Sequence, residues 1–254
     1  MLVAAILLWV SACSCAQEAL RAQSPRDRNW TGYESNATRI YKSAEHCGAF
    51  AVTGDQGIGL SSVDGITWFN HVPAVLTNSQ RQVRGGGMLV RIGPRGTIQS
   101  STDGLCWTNR NSSTASRLHS VAHGNGLFAT VGNEGALVTS VDGLIWISRN
   151  SGTEERLRGI VYANGRFVVV GYAGTILTSK NGLQWTLCHS PTDQRLLDVA
   201  YGCGQFVAVG WKGVLLTSPD GVTWISRNSG VSLHLRNISY DPSDSPSQEK
   251  ASLP

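Results

Sequence analysis

Charge is scarce in this chain. Asp, Glu, Lys and Arg make up 15% of its 254 residues, and aromatic residues make up 7%. The formal net charge is a mild +4, with no Lys/Arg run and no basic–aromatic stripe, so no nucleic-acid partner is expected. The apolar run Leu2–Val10 is about half of the roughly 20 residues that a membrane-spanning helix requires. The six histidines share no repeat position, and no Cys/His metal spacing, phosphate loop or nucleophile elbow occurs. No metal and no cofactor is therefore expected. Glycine is abundant, with 29 residues, which suits many tight turns and few helices.

The turns follow a rule. The heptapeptide Ser-x-Asp-Gly-x-x-Trp occurs at Ser62–Trp68, Ser101–Trp107, Ser140–Trp146, Ser179–Trp185 and Ser218–Trp224. Its acidic position, Asp64, Asp103, Asp142, Asn181 and Asp220, recurs every 39 residues without insertion. Such a period means one supersecondary unit stacked on copies of itself. Within the last copy, Leu196–Tyr201, Phe206–Val209, Val214–Thr217 and Val222–Ser226 are β-prone runs separated by Gly, Asp and Asn. Those residues accept the positive φ of hairpin turns. Four antiparallel strands per repeat, a to d from the axis outward, predict one blade of an all-β propeller. The blades are placed at 40–78, 79–117, 118–156, 157–195 and 196–234. An outer strand near Trp30 and a partial inner strand at 235–241 leave five blades, or six with a composite closing blade. A Ser/Pro-rich tail, 242–254, is expected to be disordered.

The motif resembles the Asp box of bacterial-neuraminidase-type repeats, with one residue fewer between Asp and Gly. The whole repeat, with Leu-x-x-Val-Ala-Tyr-Gly before the box, is similar to secreted bacterial propellers and shares the general pattern of photosystem II assembly and stability factors. The resemblance implies the fold over residues 40–240. It does not select among enzymes, lectins and assembly factors.

At the N-terminus, residues 1–16 read as a targeting segment, which predicts export to a periplasm, an outer membrane or the extracellular space. Val10–Cys13 resembles a lipobox, in which Cys13 would be lipidated; cleavage after Ala16 is the alternative. Residues 17–39 form a linker and outer strand. Cys47 and Cys203 occupy the same repeat position in the first and last blades. Equivalent points on adjacent blades usually lie beyond the roughly 7 Å Cα limit for a disulfide, so free thiols are expected there.

The box residues recur because the fold needs them. An Asx side chain in a turn accepts local N–H groups, and Trp68, Trp107, Trp146, Trp185 and Trp224 are expected to pack between blades. Another recurrence points to function. The residue preceding strand a is Arg39, Asn78, Arg117, Arg156, Arg195 or His234, which predicts a positive ring at one mouth of the axis able to hold carboxylates or phosphates. The b–c turns on that face vary at their tips and carry Arg95, Tyr172, Trp211 and Lys212. A constant frame with variable tips suits a binding surface. A third recurrence, Arg110, Arg149 and Arg227, falls on the outermost strand, where charge discourages edge pairing.

These readings predict a monomeric, non-catalytic exported scaffold that binds another protein or an anionic ligand. Its only membrane contact would be a lipid anchor. A lectin stacking sugars on Trp211 and Tyr172 is the alternative, and a sialidase-like hydrolase the weaker one. A glycosidase needs paired carboxylates, and only Asp198 and Glu45 come from strands able to approach each other.

Overall fold

The computed structural model describes residues 49–71 and 81–241. The leader with Cys13, the linker with Arg39, Glu45, Cys47, Asn78 and the tail 242–254 lie outside the described residues. The described chain forms five antiparallel sheets of four strands each, a five-bladed β-propeller. Blade three shows the plan, with strand a at Leu118–Gly124, b at Leu127–Gly132, c at Leu137–Ser140 and d at Ile147–Ser148. Innermost strands pack on one another in succession from blade two through three, four and five to the strand Leu235–Asp241 of blade one.

Blade one is composite. Its strands b, c and d are Ala49–Gly54, Gly59–Ser62 and Phe69–His71, while its innermost strand is Leu235–Asp241 from the other end of the chain. Phe50 pairs with Tyr240 and Val52 with Ile238. The partial repeat thus completes blade one rather than starting a sixth, and the innermost strand expected from residue 40 onward is replaced. The repeat phase explains the outcome. Ile238 and Tyr240 occupy the positions that hold Ser43 and Glu45 in the first repeat. Ile238 is buried, and Tyr240 packs on Phe50 with ring centroids 5.0 Å apart. Burying an isoleucine gains about 1.5–3 kcal/mol, which serine cannot supply.

This closure also corrects the expectation of a free thiol at Cys203, which is disulfide-bonded to a cysteine outside the described residues. The distance argument assumed two equivalent a–b hairpins. In blade one the strand paired with Ala49–Gly54 comes from residues 235–241, so no such hairpin exists there.

In blades three to five, strands b and c are buried along nearly their whole length. Phe50, Phe128, Phe167 and Phe206 share one repeat position and are fully buried. Each meets an aromatic ring of its strand a: Tyr240, His123, Tyr162 or Tyr201, at centroid distances of 4.4–5.0 Å. Four of the box tryptophans, Trp68, Trp146, Trp185 and Trp224, join blade to blade, whereas Trp107 carries the Arg91 guanidinium of its own blade over its ring at 4.1 Å. Trp146 packs with Val90, Ile92 and Ile98 of blade two, and Trp224 with Val168, Val170 and Ile176 of blade four.

In the box itself, Asp142 Oδ1 accepts the N–H groups of Leu144 and Ile145 at 2.8 and 3.0 Å and the Ser140 hydroxyl at 3.0 Å. Gly143 holds φ at 72°. Asn181 Oδ1 makes the same backbone contacts at 2.9 and 3.0 Å. The Nε of Arg110, Arg149 and Arg227 donates to hydroxyls of Ser100, Thr139 and Thr217 on strand c. Antiparallel alternation puts every a–b and c–d turn on one face, and every b–c turn and d–a loop on the other.

Candidate functional site

The b–c turns are held by a repeated backbone lattice. Asn133, Tyr172, Trp211 and Asp55 donate their N–H to the carbonyls of Arg117, Arg156, Arg195 and His234, the residues preceding strand a, at 2.8–2.9 Å. Gly96, Gly135 and Gly174 donate at 2.9–3.0 Å to Ser116, Glu155 and Gln194 in the loop entering the next blade. A side chain at Gly135 would put its Cβ 1.8 Å from the Thr153 carbonyl, so only glycine fits. The tip residues Gln56, Arg95, Glu134, Ala173 and Lys212 all hold positive φ, from 51° to 57°. Non-glycine residues rarely adopt this conformation unless the surroundings fix it. The lattice is that constraint, and the tips are rigid.

On this frame the side chains form a continuous stack across three blades. Arg156 lies 5.0 Å from the Tyr172 ring centroid, and Arg195 lies 4.5 Å from Tyr172 and 3.9 Å from Trp211. Trp211 in turn stacks on His234 at 4.6 Å with an interplanar angle of 1°. The His234 Nδ1 accepts the Lys212 N–H at 3.1 Å. Arg117 and Arg156 are exposed, whereas Arg195, Tyr172, Trp211 and His234 are partly buried. Arg95 stands exposed on the tip of blade two, apart from the stack.

Two further cations, Arg158 and Arg236, join the mouth at the second residue of strand a, a position that alternation alone assigns to regular strand. The a–b pairing shifts register between Leu118 and Ser120, Leu157 and Gly159, and Leu196 and Asp198. Such a bulge re-aims the extra residue, here His119, Arg158 and Leu197, with Arg236 equivalent in blade one. The Nε2–H of His119 donates to Asn133 Oδ1 at 2.7 Å, and its Nδ1 accepts from Arg158 Nη1 at 3.4 Å. Burial, with Arg158, Arg117 and Arg156 nearby, lowers the His119 pKa to about 4. The Nε of Arg158 is buried and has no partner. Among the described residues the single ion pair is Arg236 with Asp55. No other described guanidinium group at this mouth forms an ion pair with a described carboxylate, and Glu134, Glu154, Glu155 and Asp193 stand on the same face. A signal for the second row existed at repeat positions 119, 158 and 236, but a bulge is not written in β-strand alternation.

No protein-family model and no curated protein matches the chain. Solved structures similar to it include YCF48 bound to a D1 peptide, at 23% identity and a TM-score of 0.44, covering 69% of this chain and 62% of that one. YCF48 from Cyanidioschyzon merolae is 17% identical, with a TM-score of 0.45 and coverages of 73% and 70%. An ancestral GH74 enzyme is 18% identical, with a TM-score of 0.47, covering 57% of this chain and 23% of that one. The chain thus spans less than two thirds of the first and third of these. Likeness at this level concerns the fold alone and carries nothing about what this chain binds.

Two other places were candidates for chemistry. Asp198 is 2% exposed, and its oxygens accept the N–H groups of Val199 at 2.8 Å and Ile238 at 2.9 Å. It ties blade five to the closing strand, a structural use of the carboxylate. On the rim between blades four and five lies a groove of about 820 Å³, lined by Arg166, Lys180, Cys188 and Trp224. Cys188 stands where Arg110, Arg149 and Arg227 stand in other blades. Its Sγ is directed to the Gly221 carbonyl at 3.9 Å. In the other four boxes the tryptophan Nε1–H donates to that carbonyl; the Trp224 Nε1 has no partner.

Proposed function

We propose that this chain is an exported, non-catalytic scaffold that captures an acidic segment of another protein on its arginine-bearing face. The observation carrying this reading is the stack Arg156–Tyr172–Arg195–Trp211–His234, whose guanidinium groups form no ion pair among the described residues. A surface that holds like charges together without partners is suited to an anionic one. Stacking fixes the guanidinium planes and leaves their edges to donate to carboxylates. The lectin reading is less favoured, because Tyr172 and Trp211 already carry arginine and histidine against their rings. The hydrolase reading loses its acid, because Asp198 is engaged with backbone. The disulfide at Cys203 supports an oxidising compartment and hence export.

The test is capture from an envelope extract by wild type and by an Arg117→Glu/Arg156→Glu variant. Both positions are exposed, so the melting temperature is expected to hold within about 2 °C, while the captured protein is lost. Capture that survives charge reversal would show the site to be wrong. Binding on a glycan array that survives the same reversal would favour the lectin.

A further inference from the structure

The two faces of the propeller differ in kind. All exposed large hydrophobic side chains among the described residues lie on the box turns or on strands d, and none lies on a b–c tip or d–a loop. The residue after the box glycine is aliphatic in all five blades: Ile66, Leu105, Leu144, Leu183 and Val222. Every one of them is exposed. Blade three goes furthest, with Val141 74% and Ile145 69% exposed on either side of Leu144. The fold does not require Val141 and Ile145 to be apolar, since they correspond to Lys180 and Gln184 in blade four.

The chain ends leave on the same face. Ala49 begins strand b of blade one and pairs with Asp241, the end of the closing strand. The 48 residues preceding Ala49 contain the apolar run Leu2–Val10. They therefore join the propeller on its apolar face, opposite the arginine mouth.

We propose that the box face rests on a lipid bilayer, with the blade-three turn Val141–Ile145 reaching the headgroup–acyl boundary. The protein lies on the membrane rather than spanning it. The apolar side chains enter the interface while the box aspartates keep their turn N–H groups. The face carries those aspartates and no arginine ring, so neutral lipid is sufficient and anionic lipid adds nothing. This orientation turns the arginine face away from the membrane. The inference does not depend on what that face binds.

The exposed thiol of Cys106, next to Leu105, is a native reporter of this contact. The full chain is labelled there with an environment-sensitive fluorophore, using Cys106→Ser as the blank for other thiols, and mixed with phosphatidylcholine vesicles. The expected result is a blue shift with protection from aqueous quencher. Both are lost in Val141→Asp/Ile145→Asp, with vesicle affinity at the reporter roughly tenfold weaker or more, the loss expected for aliphatic groups kept out of an apolar phase. Leu144→Gln/Leu183→Gln gives the same test if the first variant fails to fold. Vesicle flotation without a label shift would overturn the proposal, because the tether alone would then be holding the chain. A label shift that appears only with phosphatidylglycerol would also overturn it.

Discussion

Replacing Asp198 by alanine tests whether ring closure depends on one buried carboxylate. The side chain is 2% exposed and accepts the N–H of Val199 within its own blade and that of Ile238 across the seam. Alanine leaves both donors without this acceptor, at a cost of about 1–3 kcal/mol each. A net loss of about 2–5 kcal/mol, in a domain of this size, lowers the melting midpoint by about 5–15 °C. Asparagine retains one acceptor but turns an NH₂ toward the second N–H, and is expected to lose about half as much. Calorimetry gives the size of the effect and amide exchange gives its place. Leu235–Asp241 and its partner Ala49–Gly54 are expected to lose protection first, while the sheet of blade three keeps its own. An unchanged midpoint, or protection lost evenly through all five sheets, would refute the assignment of Asp198 to the seam.

Asp142→Asn is expected to leave the melting temperature nearly unchanged, as the natural Asn181 does the same work, whereas Asp142→Ala is expected to lower it by a few degrees. Thermal scans at pH 7 compare them. The N–H groups of Ile145 and Leu144 lower the Asp142 pKa, so as pH falls the unfolded chain takes up the proton first. This contribution is present above about pH 4 and is lost as pH falls through the folded value; Asp142→Asn removes that part of the acid slope. His119 behaves likewise over a higher window. Its folded pKa of about 4 lies below the ordinary 6.5, so stability is expected to decline as pH falls from 6.5 toward 4. His119→Gln flattens that slope in denaturant titrations, and an unchanged slope would contradict a neutral, half-buried imidazole.

Much of the fold was legible because a 39-residue period with turn residues in phase admits few structures other than stacked four-stranded blades. Closure was not. Phase alone makes residues 40–46 and 235–241 equivalent candidates for the innermost strand, and the choice depends on packing: Ile238 and Tyr240 against Phe50, compared with Ser43 and Glu45. The first row of the arginine mouth, Arg117, Arg156 and Arg195, was visible because phase fixes its place at the entrance to strand a. His119, Arg158 and Arg236 were hidden by the bulge, which breaks the two-residue alternation used to assign faces. Stacking of Arg195 between the rings of Tyr172 and Trp211 was also out of reach. It joins the tips of two blades through a residue that precedes strand a of the second.

The composite blade also sets an order of events during synthesis. Blades two to five each occupy one continuous stretch, so their sheets can form as the polypeptide emerges. Blade one cannot. Its outer three strands are made first, and the strand that completes their sheet, Leu235–Asp241, has been translated only about 170 residues later. Until then the nascent protein is an open arc with unpaired edges at both ends, in need of shielding from other chains. The last described strand to be made is the one that joins blade five to blade one.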